Sequence, residues 1–124
     1  MAYDFTRILI VEDSAEIGDQ LGATLTAAGF STRLVGSNDA AFQELEGWQP
    51  SAVLVDLRNH DQGGRRFCAT LASRPNTAYP PVVLIGEAPN LMKRLPVTAS
   101  GLVPTPIDDE RLVGTVRRVT GAMA

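Results

Sequence analysis

The sequence has little chemistry of several common kinds. It contains one cysteine, Cys68, and one histidine, His60. A single cysteine excludes a disulfide within the chain, and with one histidine it also excludes a Cys/His zinc cluster built from one chain. Cys68 is expected as a small buried hydrophobe. Basic residues are outnumbered, 11 Lys and Arg against 14 Asp and Glu, for a net charge of -3. No basic field is therefore offered to nucleic acid or to an anionic membrane. No apolar run reaches the ~18 residues that a membrane span needs. The opening residues Met1 to Phe5 lack the basic and apolar regions of a signal peptide. The expected location is the cytoplasm, with neither membrane nor nucleic acid bound by this domain. Also missing are the Gly-x-x-x-x-Gly-Lys-Ser/Thr phosphate loop, the Gly-x-Gly-x-x-Gly fingerprint and the Gly-x-Ser-x-Gly nucleophile elbow. A small α/β enzyme is thus only a remote alternative, and the chain is expected not to be one.

What is present is ordinary globular material. The 124 residues are 44% hydrophobic and 20% charged, which fits one domain over residues 1–124. Apolar runs alternate with helical stretches five times. Arg7 to Val11 is apolar after its first residue, as expected of a strand buried on both faces. Ser14 can cap a helix carrying Ile17, Leu21, Leu25 and Ala28, closed by Gly29. Phe30 to Val35 reads as a second strand of edge character, and Ser37 caps a helix ending at Gly47. The third strand, Ala52 to Val55, runs into Asp56. A polar loop (59–64) and a helix around Phe67 to Leu71 follow. Val82 to Ile85 forms the fourth strand, ending at Gly86, with a short helix expected over Asn90 to Leu95. Leu102-Val103 runs into Pro104 and so belongs at a sheet edge. Asp108 caps the last helix, whose acidic start and basic end suit the helix dipole. Five such units predict a doubly wound parallel sheet with helices on both faces. In that architecture ligands bind beyond the carboxyl ends of the strands.

Those ends carry carboxylates. The first strand ends in Glu12-Asp13 and the third in Asp56. If the two strands are neighbours, three like charges meet and raise one another's pKa unless a cation compensates. Mg²⁺ prefers such oxygen donors, and a metal beside a carboxylate nucleophile suits phosphoryl transfer. Acidic residues at strand ends also commonly just cap the next helix, so the combination matters more than either part.

The stretches Arg7-Ile-Leu-Ile-Val-Glu-Asp-Ser14, Pro50-Ser-Ala-Val-Leu-Val-Asp-Leu57, Gly63-Gly64, Pro81-Val-Val-Leu-Ile85 and Thr105-Pro106 resemble the receiver domain of bacterial two-component response regulators. The resemblance spans almost the whole chain. It implies a flavodoxin-like sheet in the order 2-1-3-4-5, Asp56 as phospho-acceptor, and Glu12, Asp13, Asp56 and the backbone carbonyl of Arg58 as Mg²⁺ ligands. It also implies a histidine kinase or phosphotransfer protein as partner, a cis bond before Pro106, and a docking face made by the fourth helix, fifth strand and fifth helix. Leu91, Met92, Leu95 and Leu102 are either contacts on that face or ordinary core.

Three positions depart from the family pattern. Gly86 stands where a Ser or Thr is usual, Leu102 where an aromatic ring changes rotamer, and Thr105 where a Lys pairs with the phosphoryl group. Losing that Lys removes a charge-assisted contact of roughly 1.5–3 kcal/mol. Arg58 either stabilises the phosphorylated form, blocks the attacking water or is a surface arginine. His60 is either a proton-transfer group or a solvated loop residue, and Glu87 adds a negative charge that disfavours a nearby phosphate. Leu57-Arg58 after the aspartate lacks the second carboxylate of an aspartate-based phosphatase. The leading expectation is an atypical receiver with a weakened switch. The alternative is a phosphorylation-independent interaction module, a pseudo-receiver.

Overall fold

The computed structural model describes residues 6–58, 63–74, 79–91, 93 and 95–122. Along the chain run β1 (Arg7–Val11), α1 (Ala15–Ala27), β2 (Ser31–Val35), α2 (Asn38–Gly47), β3 (Ala52–Asp56), α3 (Gly63–Ser73), β4 (Val82–Gly86), α4 (Ala88–Leu91), β5 (Gly101–Pro104) and α5 (Asp109–Thr120). The five strands form one sheet in the order β2-β1-β3-β4-β5, and every pair is parallel.

Alternation along β1 explains the two layers. Side chains on a strand point to opposite faces in turn. Leu9 and Val11 therefore join one core with Val53, Val55, Phe67 and Leu71, while Ile8 and Ile10 join another with Leu21, Leu25, Leu112 and Val116. Helices α2 and α3 cover the first face, and α1 and α5 the second. Strands β1, β3 and β4 are buried on both faces, which is why their sequences are unbroken apolar runs. At the edge, β2 keeps Arg33 and Leu34 exposed.

The helix starts follow the expected local chemistry. The Ser14 hydroxyl accepts from the Ile17 amide at 3.3 Å, the Ser37 hydroxyl from Ala40 at 3.2 Å, and the Asp108 carboxylate from Glu110 at 3.0 Å. Each satisfies an amide with no partner inside its helix. The first helix closes with Ala28 as its cap, and Gly29 takes the positive φ (100°) just beyond it, a conformation that costs glycine least.

One element differs from expectation. The fourth helix is a single turn, Ala88–Leu91, rather than Asn90 to Leu95. Pro89 lies in its first turn, where a proline forfeits no intrahelical hydrogen bond. Leu91 and Leu95 pack against the α2–α3 core, Met92 lies outside the described residues, and Leu102 on β5 is 40% exposed. β5 does occupy the sheet edge, with Pro104 beside Gly86.

Leu54, in the central strand and 1% exposed, should lower stability by about 2–5 kcal/mol when changed to Ala. Leu102→Ala should change it by less than about 0.5 kcal/mol. Urea unfolding midpoints check both, and equal midpoints for the two variants would contradict this placement of the core.

Candidate functional site

β1 and β3 are neighbours in register, Val11 beside Val55, so their carboxyl ends finish side by side. The chain continues from β1 with the Glu12 amide donating to the Val35 carbonyl at 3.0 Å, and from β3 with the Leu57 amide donating to Ile85 at 2.8 Å. Glu12 and Asp56 are thereby fixed at the rim by backbone on both sides. They are 5% and 3% exposed, two of the few buried polar residues in the described structure.

Glu12 Oε1 accepts from the Ser14 amide at 3.0 Å. Its other oxygen, Oε2, is buried without a hydrogen-bond partner. Burial, together with the adjacent Asp56 carboxylate, pushes the Glu12 carboxyl up to about 8. Burial acts on Asp56 in the same direction, but hydrogen bonds from the Arg58 side chain and amide outweigh it and hold the Asp56 carboxyl below its ordinary value. The two neighbouring acids are thus driven apart: one keeps its proton and the other stays charged.

Arg58 reaches back to the aspartate. Its Nε donates to Asp56 Oδ1 and Oδ2 at 2.9 and 3.0 Å, its Nη2 donates to Oδ2 at 2.7 Å, and its backbone amide donates to Oδ1 at 2.9 Å. This is a forked guanidinium–carboxylate pair, the stronger kind of charge-assisted contact. Sequence reading left Arg58 open between several roles; its engagement with Asp56 depends on the turn after β3.

A cavity of about 310 Å³ opens beside these groups, lined by Glu12, Asp13, Ser37, Asp39, Asp56 and Arg66 among others. Asp39 and Arg66 were not singled out from sequence, because each reads as an ordinary exposed helix residue. Gly64 in α3 packs close enough that a Cβ there would stand 2.6 Å from the Asp56 carbonyl oxygen. Only glycine allows α3 to start so near β3. At the end of β4, a Cβ on Gly86 would meet Leu91 at 3.4 Å and Leu57 at 3.5 Å, so apolar side chains border the position where a hydroxyl is usual. The Thr105 amide donates to the Gly86 carbonyl at 3.0 Å, and the Thr105–Pro106 bond is cis. Glu87 is exposed, and His60 lies outside the described residues.

The donor chemistry suits a hard divalent cation: carboxylates at the rim, one with a buried oxygen lacking a partner. Among the described residues, however, no three His, Cys, Asp or Glu side chains are already gathered in a metal-holding arrangement. The Asp56 oxygens are engaged by Arg58 instead.

Residues 8–117 match the response regulator receiver domain family. This chain belongs to that family. The receiver is 28% identical over 113 residues to the DNA-binding response regulator MtrA of Mycobacterium tuberculosis, covering 90% of this chain and 49% of that protein. It is 28% identical over 116 residues to the phosphate regulon transcriptional regulatory protein PhoB of Escherichia coli, covering 91% of this chain and 51% of PhoB. The chain thus spans about half the length of these relatives. Among solved structures, a sensor protein from Polaromonas sp. JS666 superposes with a TM-score of 0.79 at 28% identity, covering 95% of this chain and 98% of that one. The chemotaxis response regulator CheY4 of Vibrio cholerae gives 0.76 at 20% identity, covering 94% and 99%, and shares the fold. Receiver domains are signalling modules that are typically phosphorylated on an aspartate, typically bind Mg²⁺ there, and interact with histidine kinases or phosphotransfer proteins. No helix among the described residues is long and apolar enough to cross a membrane.

The raised Glu12 carboxyl has a measurable consequence. In metal-free protein, between pH 4.5 and about 8, the fold holds a proton that the unfolded chain has already released. The folded state binds more protons across that window, so this group's contribution to stability falls as pH rises through it. Urea unfolding in chelator at several pH values should show Glu12→Gln losing less stability than the parent chain from about pH 5 to about pH 8. An identical pH dependence for the two proteins would contradict the assignment.

Proposed function

We propose that residues 1–124 form one cytoplasmic receiver domain that accepts a phosphoryl group on Asp56 from a histidine kinase or phosphotransfer protein, and that its conformational readout is altered. The observation that carries this reading is the Asp56 carboxylate itself. It is buried at the end of the central strand, kept ionised, and borders an open cavity beside Glu12 and Asp13. An ionised carboxylate is a competent nucleophile, and holding it rigidly at the cavity wall favours in-line attack on phosphorus. Glu12, Asp13, Asp56 and the Arg58 carbonyl would hold Mg²⁺, which would neutralise charge on the transferring group.

The chain is read as a signalling module and not an enzyme. Its output would differ from the family pattern at Gly86, Leu102 and Thr105. With Leu57 and Leu91 around Gly86, no hydroxyl is placed there to pull the following loop toward a phosphate. Leu102, on the exposed β5 edge, has no ring to reorient. A ligand biases two conformations only through contacts that differ between them. These same observations favour a second reading, a pseudo-receiver that docks a protein through the α4–β5–α5 face whether or not Asp56 is modified.

Incubation with acetyl phosphate and Mg²⁺, followed by intact-mass measurement, tests the first reading. The expected result is the gain of one phosphoryl group by the parent chain and none by Asp56→Asn. No gain by the parent chain would leave the pseudo-receiver reading in its place.

A further inference from the structure

We propose that Arg58 is the phosphoryl-holding cation of this domain, supplying from the turn after β3 the positive charge that Thr105 does not supply from the end of β5. The inference rests on the reading of Asp56 as acceptor and names the residue that stabilises its phosphorylated state.

Three observations carry it. The guanidinium already grips both oxygens of the acceptor, with contacts of 2.9, 3.0 and 2.7 Å. Those contacts use only Nε and Nη2 of a group with five N–H donors in a planar fork, a geometry that matches phosphate as well as carboxylate. Second, Arg58 approaches from a flank that leaves the nucleophile open. It lines a separate cavity of about 240 Å³ with Ile17, Gln20, Ile107 and Asp109, and is absent from the residues lining the open cavity at Asp56. A group entering that cavity meets the carboxylate with the guanidinium at its side, so Arg58 assists where a covering residue would block. Third, Ile107 directly follows Thr105–Pro106 and Asp109 opens α5 two residues later. The guanidinium therefore lies toward the β5–α5 connection, the side from which a lysine at 105 would reach.

The transfer balances without a proton. A lone pair on an Asp56 carboxylate oxygen forms the new P–O bond. The bond between phosphorus and the acetyl oxygen of acetyl phosphate breaks, and its electron pair leaves on acetate. The charge given up by the Asp56 carboxylate appears on the departing acetate, while the phosphoryl group brings its own negative charge to the side chain, and a fork anchored beside that carboxylate needs only a side-chain adjustment to meet it. The Arg58 side chain is 31% exposed, which leaves room for that movement. The rival cation is Arg66, which borders the open cavity but is held to neither Asp56 oxygen by any hydrogen bond among those described.

Labelling of the full chain by acetyl phosphate with Mg²⁺, followed by intact mass over time, decides between them. Arg58→Ala should label at least about tenfold more slowly than the parent chain, the change expected for losing one charge-assisted contact. Arg58→Lys, which keeps the charge without the fork and guards against misfolding of the alanine variant, should fall between the two. The double variant Arg58→Ala, Thr105→Lys should recover to within about threefold of the parent chain, a rescue that a merely structural role for Arg58 would not produce. Arg66→Ala should label at the parent rate. Parent-rate or faster labelling of the Arg58 variants, failure of the lysine rescue, or slowing in Arg66→Ala alone would overturn the proposal while leaving Asp56 as acceptor. A parent chain that takes no label would overturn the acceptor reading and this inference together.

Discussion

A carboxylate buried at the carboxyl end of the middle strand is costly unless its charge is met, and in this domain an arginine two residues further on meets it. The Asp56–Arg58 pair sets the electrostatics of the whole rim. Burial, with the stabilised charge of Asp56 beside it, leaves the neighbouring Glu12 holding its proton. The pair also constrains the backbone, because the same aspartate oxygen takes the Arg58 amide and its Nε. Removing one partner of such a pair leaves the other buried without compensation, and that penalty exceeds the net worth of the intact interaction.

The scaffold around the pair exists to present it. Parallel strands buried on both faces place all side-chain alternation in the two cores, so chemistry can appear only where strands end. β1 and β3 end together because they are adjacent and in register. Gly64 lets α3 begin against the Asp56 carbonyl. At the end of β4, Leu57 and Leu91 border Gly86. The positive charge comes instead from the turn after β3. The carboxylates and the arginine are therefore set over β1 and β3, and apolar side chains border the end of β4.

Much of the fold was legible in the residues. The apolar runs at Ile8 to Val11 and Val82 to Ile85, and the caps at Ser14, Ser37 and Asp108, act through local forces that a linear reading captures. The fourth helix is not legible at its true position, because a four-residue helix is too short to show a period and Pro89 in its first turn gives no start signal of its own. Asp39 and Arg66 escaped notice as cavity residues because nothing in an exposed helix turn distinguishes a residue that faces solvent from one that faces a neighbouring strand end.

The sequence by itself determined the element order, the two-faced burial of the central strands, and the identity of the acids at the strand ends. Each depends on residue type and spacing along one segment. Tertiary structure alone decided which acid stays ionised, and that the arginine closes on it from the β5–α5 flank. Those outcomes depend on burial at the rim and on the approach of Glu12 to Asp56 from the neighbouring strand end. That approach is set only when the strands pack in register.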